Sequence, residues 1–98
     1  MKIAKGESVI AVLHSPREKL LGILGEINAS GVFIRGIDLS YFEDWCSSIV
    51  NDEPFLPMSE YFVPMWRVER IVLDEGDEVN PSMTDQFLKK TGQLMSDY

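Results

Sequence analysis

The chain has one cysteine, Cys46, and one histidine, His14, in 98 residues. A lone cysteine excludes an internal disulfide, and the two residues are too small a set for a thiolate zinc site. A thiol nucleophile needs a base, and His14 falls in a different element, so Cys46 reads as a small buried hydrophobe. His14 has no partner at ligand spacing and reads as a strand-end or turn-bonding residue. Basic residues are also scarce: nine Lys and Arg stand against sixteen Asp and Glu, a formal charge of −7. Nucleic-acid binding rests largely on cations that neutralise phosphates, and the basic residues here gather no further than short pairs such as Lys89 with Lys90 and Arg67 with Arg70. Nucleic acid is therefore not an expected partner. No apolar run approaches the ~18 residues that span a bilayer, and MKIAKGESVI lacks the apolar stretch and cleavage site of a secretory signal. A cytoplasmic protein without membrane contact is expected. Repeats and low-complexity tracts are missing too.

What is present is a globular composition, 45% hydrophobic and 26% charged. Residues 1–98 read as one domain whose modest core would gain from association with other copies. SVIAVLH (8–14) is short, apolar and β-branched, a first strand, and SPRE supplies a turn. KLLGILGEIN, from Lys19, carries two glycines three residues apart, which weaken a helix and suit a sharply bent second strand. NASG is a tight turn, and GVFIRGIDL is a third strand, with Val32, Ile34 and Gly36 alternating against Phe33, Arg35 and Ile37.

The period then changes. SYFEDWCSSIV places Ser40 three residues before Glu43, a capping box, and spaces Tyr41, Phe42, Trp45, Cys46, Ile49 and Val50 as one helical stripe. A helix over about 40–50 follows. NDEPFLPMS is an irregular connection, and EYFVPMWRVERIVLDE gives two strands bent near Pro64 and Met65. In the second of these Trp66, Val68, Arg70 and Val72 share one face, and Arg67, Glu69 and Ile71 the other. DEGDEVN (74–80) lacks the D-x-D-x-D-G spacing of a calcium loop and reads as a solvated acidic linker. A final helix over about 81–96 is expected, with Asn80 as cap, Pro81 in the first turn, and Met83, Phe87, Leu88, Thr91, Leu94 and Met95 on one face.

The order of SVIAVLH, KLLGILGEIN, GVFIRGI and FVPMWRVERIVLDE resembles that of the Sm-like proteins, which include Sm, Lsm and bacterial Hfq. LLGILGEIN is similar to the first Sm motif, with Gly22, apolar Leu24 and Ile27, and Asn28 where the family usually has Asp. The resemblance covers about 8–74, apart from the inserted helix. It implies a mainly β fold: an open, five-stranded antiparallel barrel, here with an inserted short helix at about 40–50 and a C-terminal helix at about 81–96. The family's N-terminal helix is not expected, because MKIAKGE is short and broken by glycine. It also implies a homo-oligomeric ring, joined edge to edge through strands four and five.

The family's RNA contacts do not carry over. Its RNA-binding members place an aromatic or large residue in the loop after strand two, followed in the Sm proteins by an asparagine. Here that loop is Ala29, Ser30 and Gly31, with no stacking face. Their second motif sets a basic residue, within IRG or the Hfq equivalent YKH, at the turn between strands four and five. That turn here is Pro64, Met65 and Trp66, while the IRG of Ile34 to Gly36 falls in strand three.

Aromatics are numerous, and most read as core. Phe55, Met58, Phe62, Met65 and Trp66 form a candidate interface patch. Asp38 is expected to cap the following helix or bond the turn. Arg67, Glu69 and Arg70 are expected to form surface ion pairs, and Arg35 to meet a carboxylate such as Glu26 on the neighbouring strand. No nucleophile with its base, phosphate loop or metal cluster is visible, so no enzyme activity and no cofactor are expected. The expected role is an oligomeric scaffold or protein-interaction module. The alternative is an RNA-binding ring that uses a non-family surface through Arg35, Arg67 and Arg70.

Overall fold

Five strands pair as one antiparallel sheet in the computed structural model, which describes residues 3–98. The strands are β1 (Ser8–Leu13), β2 (Glu18–Ile27), β3 (Gly31–Asp38), β4 (Ser59–Pro64) and β5 (Val68–Leu73), in the order β4-β3-β2-β1-β5. A 3-10 turn, Leu39–Tyr41, leads into helix α1 (Phe42–Val50), and helix α2 (Met83–Thr91) follows β5. The fold is mainly β, as expected. Of MKIAKGE, Met1 and Lys2 lie outside the described residues, and Lys5–Gly6 form a turn.

β4 and β5 lie at opposite edges of the sheet, yet only the 3-10 turn Met65–Arg67 separates them in the chain. The sheet must therefore roll until its edges approach. The Met65 amide bonds the Ser30 carbonyl at 3.0 Å, and the Arg67 carbonyl accepts from the His14 amide at 2.9 Å, so this turn is tied to both sides. Rolling needs strands that bend, and Gly22 of β2 pairs with Gly36 of β3. A Cβ on Gly36 would lie 2.2 Å from the Leu21 carbonyl oxygen, and one on Gly22 would lie 2.3 Å from that of Arg35. Only glycine permits this approach. Gly36 of the IRG triplet is thus a bending residue.

The rolled sheet has two faces and two cores. Val9, Ala11, Leu13, Leu20, Leu24, Val32, Ile34 and Val63 fill the interior. Leu21 and Ile37 on the outer face pack with Phe42, Trp45, Cys46, Met58, Phe87 and Met95, so α1 and α2 cover that face. The Trp45 and Phe87 rings lie 4.8 Å apart between the helices. The indole Nε1 of Trp45 is buried there without an acceptor among the described residues.

Several boundaries differ from the sequence reading, each for a local reason. β1 ends at Leu13, one residue before His14, which enters the turn. The Ser40–Glu43 capping box does not form: Asp38 accepts from both the Ser40 amide, at 2.9 Å, and the Ser40 hydroxyl, at 2.7 Å. Val50 drops out of the α1 stripe and is exposed. The face assignment in β5 breaks because register shifts opposite Val12 and Leu13, so Val68 and Ile71 both pack on the inner core.

α2 is shorter than the expected 81–96. Asn80 does not cap it, because the Asn80 and Val79 amides bond Asp77 Oδ1 at 2.7 and 2.8 Å. These bonds, Asn80 first, hold the Asp77 carboxyl below its usual range. Ser82 is the cap instead, its Oγ accepting from the Asp85 amide. Gly92, at φ 73, ends the helix in the left-handed conformation. Leu88 and Leu94 are then exposed, while Met95 returns to the core in a 3-10 turn.

Asp74, the first residue of the acidic stretch, is not left to solvent but fastens α2 to the sheet. Its Oδ1 accepts from the Met83 amide at 2.7 Å, and its Oδ2 from the Thr84 amide at 3.0 Å, the Thr84 hydroxyl at 2.7 Å and the Ser8 hydroxyl at 3.0 Å. A carboxylate at a helix start satisfies donors that have no partner within the helix and meets the positive end of its dipole.

Candidate functional site

The residues expected to form one patch fall in different settings. Met58 is 7% exposed, part of the core under the helices, so it is not available as a surface contact. Its place beside β4 turns it onto the face that α1 and α2 cover, which the irregular stretch NDEPFLPMS does not reveal. Phe55 packs edge-on against Tyr98, with ring centroids 5.6 Å apart. Phe62 is 48% exposed and leans on Phe33, directly opposite it on β3, at 4.9 Å. Met65 and Trp66 occupy the turn that joins the edges, and Trp66, 65% exposed, meets the His14 ring at 6.4 Å.

The arginines do not converge either. Arg67 donates from Nη2 to Glu18 Oε1 and to the Pro16 carbonyl, both at 2.9 Å, and from Nε to the His14 carbonyl at 3.2 Å. It pairs with Glu18, not Glu69, and fastens the β1–β2 turn. Arg35 stands opposite Ile23 and Glu60, out of register with Glu26, and donates to the Ser96 carbonyl at 3.1 Å. Arg70 makes no ion pair among the described residues and is exposed on β5. β1 and β2 separate it from Arg35 on β3.

Cys46 is buried, and burial first, then the Glu43 carboxylate, pushes its thiol up, opposed by Lys90. Among the described residues no group of three or more His, Cys, Asp or Glu is gathered to hold a metal. No described helix is long and apolar enough to cross a membrane.

What the fold does present, among the described residues, is two unpaired sheet edges. There β4 pairs only with β3, and β5 only with β1. In an antiparallel ladder alternate residues point their N–H and C=O to opposite sides. The Met65–Ser30 bond, beside the Gly31–Pro64 pair, fixes the alternation in β4: Val63 and Tyr61 bond inward to β3, while Glu60 and Phe62 point outward. The Asp74 amide bonds the Ser8 carbonyl beside the Val9–Leu73 pair, so Val72 bonds inward to β1, while Ile71 and Leu73 point outward. Flanking these edges are exposed Tyr61 and Leu56 by β4 and exposed Val72 on β5. Tyr61, Leu56, Tyr41 and Ile37 line a largely apolar hollow of about 170 Å³, and the Tyr41 hydroxyl accepts from the Leu56 amide at 3.1 Å. Neither edge position is legible as a site in the sequence, because outward direction depends on which neighbour each strand takes.

Comparison with protein-family models, with curated proteins and with solved structures returned no match.

Proposed function

We propose that the chain is a non-enzymatic, Sm-like homo-oligomer that assembles by pairing β4 of one copy with β5 of the next and serves as a scaffold or protein-interaction module. The observation that carries this reading is the sheet order β4-β3-β2-β1-β5, which leaves one free edge at each side of a rolled sheet. An edge with unpaired backbone groups is a template for another strand, and two different edges on one chain give a head-to-tail contact that closes as a ring when the rotation allows. The Gly22–Gly36 bend and the three-residue passage from β4 to β5 support the family resemblance. An RNA surface built on Arg35, Arg67 and Arg70 has less support, since two of these side chains already serve the chain's own backbone.

Proline substitution separates edge from ladder. Glu60→Pro deletes an outward N–H on an exposed residue, so the chain keeps its circular dichroism while its assembly dissociates toward 11.1 kDa at tens of micromolar. Tyr61→Pro deletes an inward N–H bonded to β3 and destabilises the fold itself, by roughly 1–3 kcal/mol. An assembly whose mass is unchanged by Glu60→Pro would remove β4 from the interface.

A further inference from the structure

We infer that the hollow between Tyr41, Leu56 and Tyr61 receives Val72 of a second copy, whose Leu73 stands opposite Glu60 and whose Ile71 stands opposite Phe62. This register rests on the edge-pairing reading above and adds to it the residues that meet.

How much of each edge is free decides the register. Along β4 the outward series runs Met58, Glu60, Phe62, Pro64. The Met58 amide is already taken by the main-chain oxygen of Tyr98 at 3.0 Å, and Pro64 has no N–H. Glu60 and Phe62 therefore carry the free donors. The segment that ends in Tyr98 is held in place by the Tyr98 ring against Phe55 and Phe87 and by Arg35 on the Ser96 carbonyl. It stops an incoming strand at Glu60.

β5 is bounded in the same way. The register shift opposite Val12 and Leu13 disturbs the alternation near Glu69, and Asp74 leaves the edge to hold α2. Ile71 and Leu73 are the outward positions between these limits. Each edge thus offers two positions one residue apart. Only one antiparallel register uses all four, Glu60 with Leu73 and Phe62 with Ile71; a shift of two residues in either direction loses one of the two bonded pairs.

In that register Tyr61 stands directly opposite the second copy's Val72. They form a pair without mutual main-chain bonds, the closer kind, with both side chains on one face. Val72 is 43% exposed, and Tyr61 lines the hollow, whose rim residue Leu56 is 68% exposed. Docking an isopropyl group there covers apolar surface on both copies.

Cysteine cross-linking tests the register. Tyr61→Cys with Val72→Cys in one chain places the two thiols within disulfide reach across the joint, because Cα atoms of such a pair lie about 4.5 Å apart. Cys46, buried, stays out of the reaction. Mild oxidation is expected to give a non-reducing ladder at multiples of 11.1 kDa, with at least about tenfold more linkage than the offset pair Tyr61→Cys with Arg70→Cys. In the chain without added cysteines, Val72→Asp is expected to lower the assembly's mass toward that of one copy. Equal or greater linkage by the offset pair, or an unchanged mass for Val72→Asp, overturns the register. If light scattering of the unmodified chain then still gives a multiple mass, the edge-pairing reading survives; a single-copy mass ends both.

Discussion

Gly36→Ala is expected to abolish the folded state. The added methyl carbon would sit 2.2 Å from the Leu21 carbonyl oxygen and 2.9 Å from the Gly22 Cα, and both neighbours are backbone, so neither can rotate away. Relief requires β2 and β3 to part beside the bonded Leu21–Ile37 pair, where Gly22 and Gly36 face each other directly. Cores transmit such strain instead of absorbing it, and a cost above ~4 kcal/mol is comparable to the whole stability of a small domain. Thermal unfolding followed by circular dichroism checks this. A Gly36→Ala chain that melts cooperatively within a few degrees of the parent would show that the strands do not approach this closely.

Asp74→Ala is expected to cost roughly 2–4 kcal/mol, because four donors lose one acceptor and those at the start of α2 have no replacement. The loss reaches beyond the helix end, since α2 carries Phe87 and leads to Met95, both in the core over the sheet. Asp74→Asn, which keeps one acceptor oxygen but turns an N–H toward amides and hydroxyls, should fall between parent and alanine. Asp77→Ala removes only the bonds that close the exposed 77–80 turn and should cost well under half as much. Urea unfolding of the three variants ranks them; equal losses for Asp74→Ala and Asp77→Ala would mean that Asp74 does not anchor α2.

Much of this architecture is legible in the residue order alone. The alternation of Val32 and Ile34 against Phe33 and Arg35, and the glycines of KLLGILGEIN, identify bent strands because the side-chain period and the steric demand of a bend are both local. The change to helical spacing at Phe42, Trp45 and Cys46 is local too. What escapes such reading is of two kinds. The first is competition between neighbours that could each satisfy the same donor or acceptor. Asp38 takes the Ser40 hydroxyl, and Asp77 takes Asn80, leaving Ser82 as cap. The second is partnership across the chain. Arg35 with Ser96, Arg67 with Glu18 and Asp74 with Ser8 join residues 61, 49 and 66 positions apart, and no periodicity encodes such distances.

The candidate site is harder to read than the fold for the same reason. Phe55, Met58, Phe62, Met65 and Trp66 are close in sequence, but burial sorts them apart, and Met58 belongs to the interior. The free donors of Glu60, Phe62, Ile71 and Leu73 are main-chain groups, invisible in residue types. They emerge only when the strand order and the alternation of ladder bonds are known together.

The mass of the unmodified chain in solution tests the central claim most directly. Light scattering coupled to size exclusion at tens of micromolar is expected to give one species at twice 11.1 kDa or a higher whole-number multiple. A single peak at 11.1 kDa would contradict edge-to-edge assembly and leave β4 and β5 as the unpaired edges of a monomer.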